Sequence, residues 1–266
     1  LRDLVTAANN NEKPVVELVL RRCPSCGAKT WKHICPECRV PTEIIGVCRS
    51  CGAENSYNEN AVCSKCGGEV VYHSKTIVNI GEELYRAARS ISESLPSRIK
   101  GVKGLSNTPR VPEQIEKGIL RAKYGLYVYK DGTIRFDMTN APLTHFKPSE
   151  IGVSVEKLRA LGYSYDYMGR PLVNSDQICE LKIQDIVIPR KSIDYLIRTT
   201  RFVDELLQKV YRLPPFYKIV RPEDLIGKLV IGLAPHTCAG VLGRIIGFTE
   251  LNVCFAHPFW HSAKRR

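Results

Sequence analysis

The sequence predicts an α+β chain, with a zinc-ribbon or knuckle region first, then helices, then β-rich segments. Three observations carry this. Eight of the 11 cysteines fall between Cys23 and Cys66 in four C-x-x-C pairs. Residues 81–95 and 192–213 place apolar side chains at a helical period. Residues 228–248 join apolar, strand-like runs through Gly240, Gly243 and Gly247. Glycines so placed mark bulges, crossings or close backbone approach, which suits a compact β barrel with crossing strands.

The cysteine pairs are Cys23/Cys26, Cys35/Cys38, Cys48/Cys51 and Cys63/Cys66, separated by 8, 9 and 11 residues. Two thiolates two residues apart grip one ion from a tight turn, and two such turns supply the four tetrahedral ligands that zinc prefers. Gly27, Gly52 and Gly67 follow three of the second cysteines, where the turn asks for positive φ. Pro24 and Pro36 stiffen two of the turns. Sequential pairing assigns Cys23, Cys26, Cys35 and Cys38 to one zinc, and Cys48, Cys51, Cys63 and Cys66 to a second; crossed pairing stays open. A disulfide framework is the competing reading, disfavoured in a chain expected inside the cell. A redox C-x-x-C is usually single rather than fourfold. His33 and His73 lie nearby, but eight thiolates already complete two closed structural sites, so both read as bystanders. A segment so poor in apolar residues is expected to need its metal to fold.

Flanking the knuckles, residues 15–20 and 70–78 read as strands able to close a small ribbon. A helix is expected over 81–95, ended by Pro96. Residues 97–110 then carry Arg98, Lys100, Lys103 and Arg110 with two glycines and no acid. That composition reads equally as a mobile linker or as backbone approaching a phosphate chain. Residues 112–123 read as a helix opened by proline, and 124–136 as a hairpin about Asp131-Gly132. Asp131 and Asp137 are then turn and strand-end residues rather than a metal pair. A short helix over 153–161, a strand over 181–188, a long helix over 192–213 capped by Ser192, a buried strand over 228–234 and a further strand over 241–248 complete the chain. Arg198, Arg201, Lys209 and Arg212 lie largely off the apolar stripe of the long helix, and such a face is usually just solvated. Cys238 and Cys254 read as small core residues. The organisation expected is a two-zinc region at 1–78, a helical segment with a basic loop at 79–125, a mixed α/β segment at 126–226 and the start of a β barrel at 227–266.

The net charge is +12, from 39 Lys and Arg against 27 Asp and Glu. Nearly all of the excess falls after residue 75. Such a field favours polyanionic partners, nucleic acid first. In a merely thermophilic surface acids rise with bases, whereas here they lag. Arg2, Asp3, Glu12 and Lys13 interrupt any leader-like apolar core. No apolar run reaches the roughly 18 residues that span a bilayer. A soluble, cytoplasmic chain with no membrane partner is expected. It opens on Leu1 and closes on Lys264-Arg265-Arg266, and both ends read as cut from something longer.

Several chemistries are disfavoured. His257 and His261 stand four apart, as in a zinc-hydrolase helix, but the glutamate is missing and Pro258 is expected to disrupt the helix. No Gly-Lys-Ser/Thr follows the glycines near Gly240, and no Ser-His-Asp set stands out. The acids are dispersed, whereas metal-dependent phosphoryl transfer needs clustered carboxylates to hold two ions. By itself the chain reads as catalytically incomplete.

Residues 227–248, running Gly-Lys-Leu-Val-Ile-Gly-Leu-Ala-Pro-His-Thr-Cys-Ala-Gly-Val-Leu-Gly-Arg-Ile-Ile-Gly-Phe, and 257–266, running His-Pro-Phe-Trp-His-Ser-Ala-Lys-Arg-Arg, resemble the large subunit of the archaeal family D DNA polymerases. The knuckle array and the loop with Lys100 and Lys103 resemble it too. The resemblance implies a catalytic core of double-psi β barrels and an acidic Asp-Gly-Asp-type motif directly after the position of Arg266. It also implies a small subunit that is a metal-dependent 3′–5′ exonuclease. On that footing the expected cofactors are two structural Zn²⁺ ions, with Mg²⁺ for catalysis in the complete enzyme. The expected partners are primer–template DNA, the small subunit, the remainder of the large subunit and a sliding clamp. Lys264, Arg265 and Arg266 would contact phosphates of DNA or nucleotide beside the catalytic carboxylates. His257 and His261 would orient that segment or pack in the core. Lys100, Lys103 and, more weakly, Arg244 are candidate nucleic-acid contacts. Two other functions compete: a stand-alone zinc-ribbon module for RNA or DNA, and a docking piece for the small subunit or clamp.

Overall fold

The computed structural model describes residues 3–102, 109–233 and 240–263, the last three through their backbone alone. They fall into two compact units, Leu1–Ile134 and Arg135–Arg266.

In the first unit, the helix α1 (Leu4–Asn9) starts on Asp3, whose carboxylate accepts the Val5 N–H at 3.0 Å and the Ile99 N–H at 3.1 Å. The strands β1 (Val15–Val19) and β7 (His73–Ile77) pair antiparallel, Val15 opposite Ile77 and Val19 opposite His73. This is the ribbon expected from the sequence. Between them β2 (Arg21–Arg22), β3 (Lys29–Thr30), β4 (Glu43–Cys48), β5 (Glu54–Ser56) and β6 (Val70–Val71) form the short antiparallel ladders of the cysteine region.

The helix α2 (Ile80–Ser90) buries Ile80, Leu84, Ala87 and Ala88, and the Asn79 side chain caps it at the Glu82 N–H. It ends before the expected limit of 95. Ser92 adopts a left-handed φ of 54°, and the Glu93 N–H returns to the Ala88 carbonyl at 3.0 Å. The helix α3 (Ile115–Lys123) begins three residues after Pro112, which therefore lies outside it.

The hairpin expected over 124–136 reduces to a turn with a single bridge, Val128 to Ile134. Asp131 Oδ1 accepts both the N–H and the hydroxyl of Thr133, at 3.0 and 2.7 Å. A side chain that satisfies local backbone in this way competes with a ladder. Asp131 is thus a turn residue, as the sequence suggests.

The second unit is built on a five-stranded mixed sheet in the order β12 (Leu229–Gly232), β13 (Val241–Thr249), β11 (Asp185–Pro189), β14 (Val253–Ala256) and β8 (Thr139–Pro142). The β11–β13 and β14–β8 pairs are parallel; the β11–β14 and β12–β13 pairs are antiparallel. All five residues of the central β11 are buried, as befits a strand covered on both faces. That strand starts four residues later than expected. The short strands β9 (His145–Phe146) and β10 (Cys179–Glu180) form a separate antiparallel pair. Cys179 and Cys254 are core residues; Cys238 lies outside the described residues.

The expected buried strand over 228–234 is instead an edge strand. Among the described residues β12 has a neighbour on one side only, and Leu229 and Ile231, on one face of it, are 55% and 74% exposed.

Helix α4 (Val155–Ala160) is capped by Ser154, which accepts the Lys157 N–H at 3.2 Å. Helix α5 (Ile193–Leu206) runs on through a π turn, Leu207–Tyr211. Ser192 stands at its N-cap position, but the side chain makes no capping bond. The helix is entered through a 3₁₀ turn, and the buried Ser192 hydroxyl donates instead to the Pro189 carbonyl at 2.7 Å. Pro258 does not disrupt the last helix but opens α6 (Pro258–Ala263), since a first-turn proline loses no intrahelical bond. Among the described residues, no helix is long and apolar enough to cross a membrane.

Candidate metal centres and basic segments

The four C-x-x-C turns repeat one hydrogen-bond pattern. The residue after each second cysteine donates its N–H to the first cysteine's carbonyl: Gly27 to Cys23, Arg39 to Cys35, Gly52 to Cys48 and Gly67 to Cys63, at 2.9–3.0 Å. Each first cysteine then donates its own N–H to the residue that follows: Cys23 to Ala28, Cys35 to Val40, Cys48 to Ala53 and Cys63 to Gly68. The turn forces a left-handed backbone, with φ of 73°, 70° and 72° at Gly27, Gly52 and Gly67. At the second turn the same conformation falls on Arg39, at φ 60°, without the benefit of glycine.

These turns bring the thiols together in the sequential arrangement. Cys23, Cys26, Cys35 and Cys38 form one group and Cys48, Cys51, Cys63 and Cys66 the other, all sulfurs of a group within 4.8 Å of one another. Crossed pairing is thereby set aside. A tetrahedral ion bonded to sulfur at about 2.3 Å spaces its ligands about 3.8 Å apart. Cys26 and Cys35 lie 3.8 Å apart, Cys51 and Cys63 3.7 Å, and Cys48 and Cys66 3.5 Å. The donor set and its spacing fit a metal ion, and each group is closed by its own four thiols.

Backbone amides prepare the sulfurs for charge. The N–H groups of Lys65 and Cys66 draw the Cys63 thiol down to about 6, and the Cys26 N–H draws Cys23 down to about 7. Cys48 is lowered chiefly by the Cys51 N–H. At Cys26 and Cys66 the Ala28 and Gly68 amides pull downward, but the neighbouring thiols and burial outweigh them and push both up to about 12. Within each group some thiols ionise readily and others only as a cation displaces their protons.

Two supporting residues escaped the sequence reading. Asn55 donates to Cys63 Sγ at 3.6 Å and to the Ala53 carbonyl at 2.9 Å, and accepts from the Ser64 N–H at 3.0 Å. Tyr72 is buried against Cys48, Cys63 and Val70, with its hydroxyl exchanging hydrogen bonds with the Asn58 backbone. Asn55 had a signal, since asparagine readily bonds neighbouring backbone; Tyr72 had none. The histidines stay outside both groups. His33 Nδ1 lies 3.3 Å from the buried Arg21, and His73 lies 3.9 Å from Glu17.

The remaining candidates are described in part. Lys100 Nζ donates to the Val128 carbonyl at 2.6 Å and lies 4.4 Å from the centre of the Tyr127 ring. Its ammonium has three donors, of which this bond uses one. Lys103, Lys264, Arg265 and Arg266 lie outside the described residues, and His261 is described only as backbone within α6. His257 Nδ1 accepts the Phe259 N–H at 3.2 Å and so stands at the head of α6.

Arg244 is tied up within the sheet. Its Nε and one terminal nitrogen each donate to Asp185 at 2.8 Å, and Asp185 also accepts the Tyr163 hydroxyl at 2.5 Å. Beside it, Trp260 of α6 is buried, donates Nε1–H to the Ile183 carbonyl at 2.8 Å and lies over Gly243, where a Cβ would come within 2.5 Å of the ring. The glycine spacing read from the sequence as close approach is thus a seat for an indole. Among the described residues, the two cysteine groups are the only sets of three or more metal-donor side chains, and no carboxylate cluster occurs.

Comparison with known proteins fits this arrangement. Residues 92–266 match the family described as DNA polymerase II large subunit DP2, catalytic domain, and residues 1–57 match its central domain. The DNA polymerase II large subunit of Pyrococcus horikoshii is 49% identical over the whole chain, which covers 19% of that protein. That of Archaeoglobus fulgidus is 50% identical over 94% of the chain and 22% of that protein. That of Natronomonas pharaonis is 41% identical over the whole chain and 23% of that protein. The chain therefore spans about a fifth of the length of these relatives. With a catalytic-domain match across most of its length, the chain belongs to the DNA polymerase II large subunit family.

Proposed function

We propose that this chain is part of the catalytic large subunit of a DNA-directed DNA polymerase and contributes to template-directed nucleotidyl transfer. The catalytic-domain match over residues 92–266 carries this reading. Its strands would belong to a double-psi β barrel, which the mixed parallel and antiparallel sheet allows. Each cysteine group would hold one Zn²⁺, since four sulfurs at tetrahedral spacing suit zinc and leave no open position for substrate. The zinc would be structural, fixing the short ladders of the first unit. Mg²⁺ would be held by carboxylates elsewhere in the large subunit, because the described residues offer no such set.

Within this chain the proposed work is binding and orientation. Lys100 and Lys103 would contact phosphate, Lys100 from its perch on the Val128 carbonyl. Lys264, Arg265 and Arg266 would offset charge near the reacting phosphates, and the helix bearing His257 and His261 would aim that segment. Arg244, a weaker candidate, would act from a guanidinium that Asp185 already holds through two of its nitrogens. Primer–template DNA, an exonuclease small subunit and a sliding clamp are the proposed partners.

The test is primer extension by the full-length large subunit with its small subunit in Mg²⁺. Extension is expected, and Lys264→Ala with Arg265→Ala should slow it while the zinc content is unchanged. Failure of the wild-type complex to extend a primer would overturn the assignment.

A further inference from the structure

In the second unit, the segment that follows α5 presents apolar side chains to solvent from a fixed backbone. Tyr211, Leu213, Phe216 and Val220 are 51%, 53%, 71% and 72% exposed. Exposed apolar residues on a loose loop would mean little, but this backbone is held at several points. One carboxylate, Asp204 of α5, accepts the N–H groups of Phe216, Tyr217 and Lys218 at 2.7–2.8 Å. The Leu213 N–H returns to the Leu207 carbonyl at 2.9 Å, and Asp224 accepts the N–H of Val220 at 3.0 Å. Ile219 is buried and Tyr217 packs on the core, so the alternate residues Phe216, Lys218 and Val220 are turned outward. Arg212 and Lys218 sit in the left-handed region, at φ 58° and 53°, a conformation that costs free energy and persists because its surroundings enforce it.

A rigid backbone displaying aromatic and aliphatic side chains loses little entropy on association, which is how a preorganised binding surface is made. Its rim is basic. Arg212 and Lys218 are exposed, and neither forms an ion pair among the described residues. An occupant should therefore bring apolar side chains flanked by acids. The chain covers about a fifth of its relatives' length, so most of the large subunit lies outside these residues. A segment tethered in the same polypeptide competes at millimolar effective concentration against any free partner.

We infer that Tyr211–Val220 is an intramolecular docking surface for an acidic, apolar segment of the large subunit that lies outside residues 1–266. The inference rests on the family assignment and not on polymerase activity. The test uses the full-length large subunit with p-benzoylphenylalanine in place of Phe216, irradiated and mapped by mass spectrometry. The same photoprobe at Tyr57, exposed in the first unit, is the control. Cross-links to an Asp- or Glu-rich peptide of the same polypeptide outside 1–266, severalfold above those from Tyr57, are expected. Cross-links only to the small subunit, to added DNA or within residues 1–266, or none above the control, would overturn it. Lys218→Glu combined with Arg212→Glu, both at the surface, should lower the cross-link yield severalfold with unchanged circular dichroism. An unchanged yield would refute the acidic character of the occupant. Because the readout is a cross-link, it stands whether or not the complex extends a primer.

Discussion

Asp185 and Arg244 form a two-armed ion pair across the parallel strands β11 and β13, with both bonds at 2.8 Å and the carboxylate fully buried. Burying these charges is tolerable because every oxygen has a donor: Tyr163 supplies the third bond, and burial followed by that contact pushes the Tyr163 hydroxyl far up. Asp185→Ala should destabilise the second unit by about 3 kcal/mol, since it leaves a partly buried guanidinium unpaired. The double variant with Arg244→Met should lose less than the sum of the single losses. Urea denaturation of the four proteins checks this; strict additivity would show that the pair is not coupled.

Metal content follows from the grouping of the thiols. Two zinc ions per chain are expected by elemental analysis, falling to one in Cys51→Ala, while His33→Ala keeps both. Loss of both ions from Cys51→Ala would mean that the two groups are not independent.

The knuckle glycines have open space around them, with no atom near a Cβ built on Gly52. The cost of Gly52→Ala is therefore conformational only, about 1–2 kcal/mol for holding an L residue left-handed. Arg39 already bears that cost at φ 60°, so Arg39→Gly should be neutral or stabilising. Thermal melts of the zinc-loaded protein decide this, and a destabilised Arg39→Gly would argue for a side-chain role of Arg39.

Gly243 is a different case. A methyl there meets the buried Trp260 ring at 2.5 Å. Gly243→Ala should cost about 1–3 kcal/mol through overpacking, and Trp260 fluorescence should shift toward that of an exposed indole. Loss of stability without any change in fluorescence would place the strain elsewhere.

Asp166 sets a pH dependence. Burial works against its charge, but the Arg170 N–H, the Gln177 amide and the Arg170 guanidinium outweigh it and hold the carboxyl below the usual aspartate value of 3.8. A depressed folded value means stability that is present above the unfolded value and lost as the pH falls through the folded one. Wild type should melt above Asp166→Asn at neutral pH, with the gap closing below about pH 4. A gap independent of pH would show that the charge is not what the loop uses.

Much of the candidate site was legible because its signals are local. Four C-x-x-C pairs, with glycines where φ turns positive, specify knuckles by covalent spacing alone. The short helix expected over 153–161 and the ribbon of 15–19 with 73–77 likewise follow from neighbouring residues and alternation. The glycines at Gly240, Gly243 and Gly247 announced close approach without naming what approaches.

What the tertiary structure decided lay beyond local reach. It chose sequential over crossed grouping of the thiols, because loops of 8–11 residues permit either. It turned 124–136 from a hairpin into a turn, gave the Ser192 hydroxyl to Pro189 rather than to a capping bond, and put β12 at the edge of the described sheet. It also paired Asp185 with Arg244, 59 residues apart, which gives a candidate phosphate contact a place in the scaffold. The physical reason is common to all of these. Chain spacing and backbone propensity are written in adjacent residues, whereas burial and the choice of a charged partner depend on which distant strands are brought side by side.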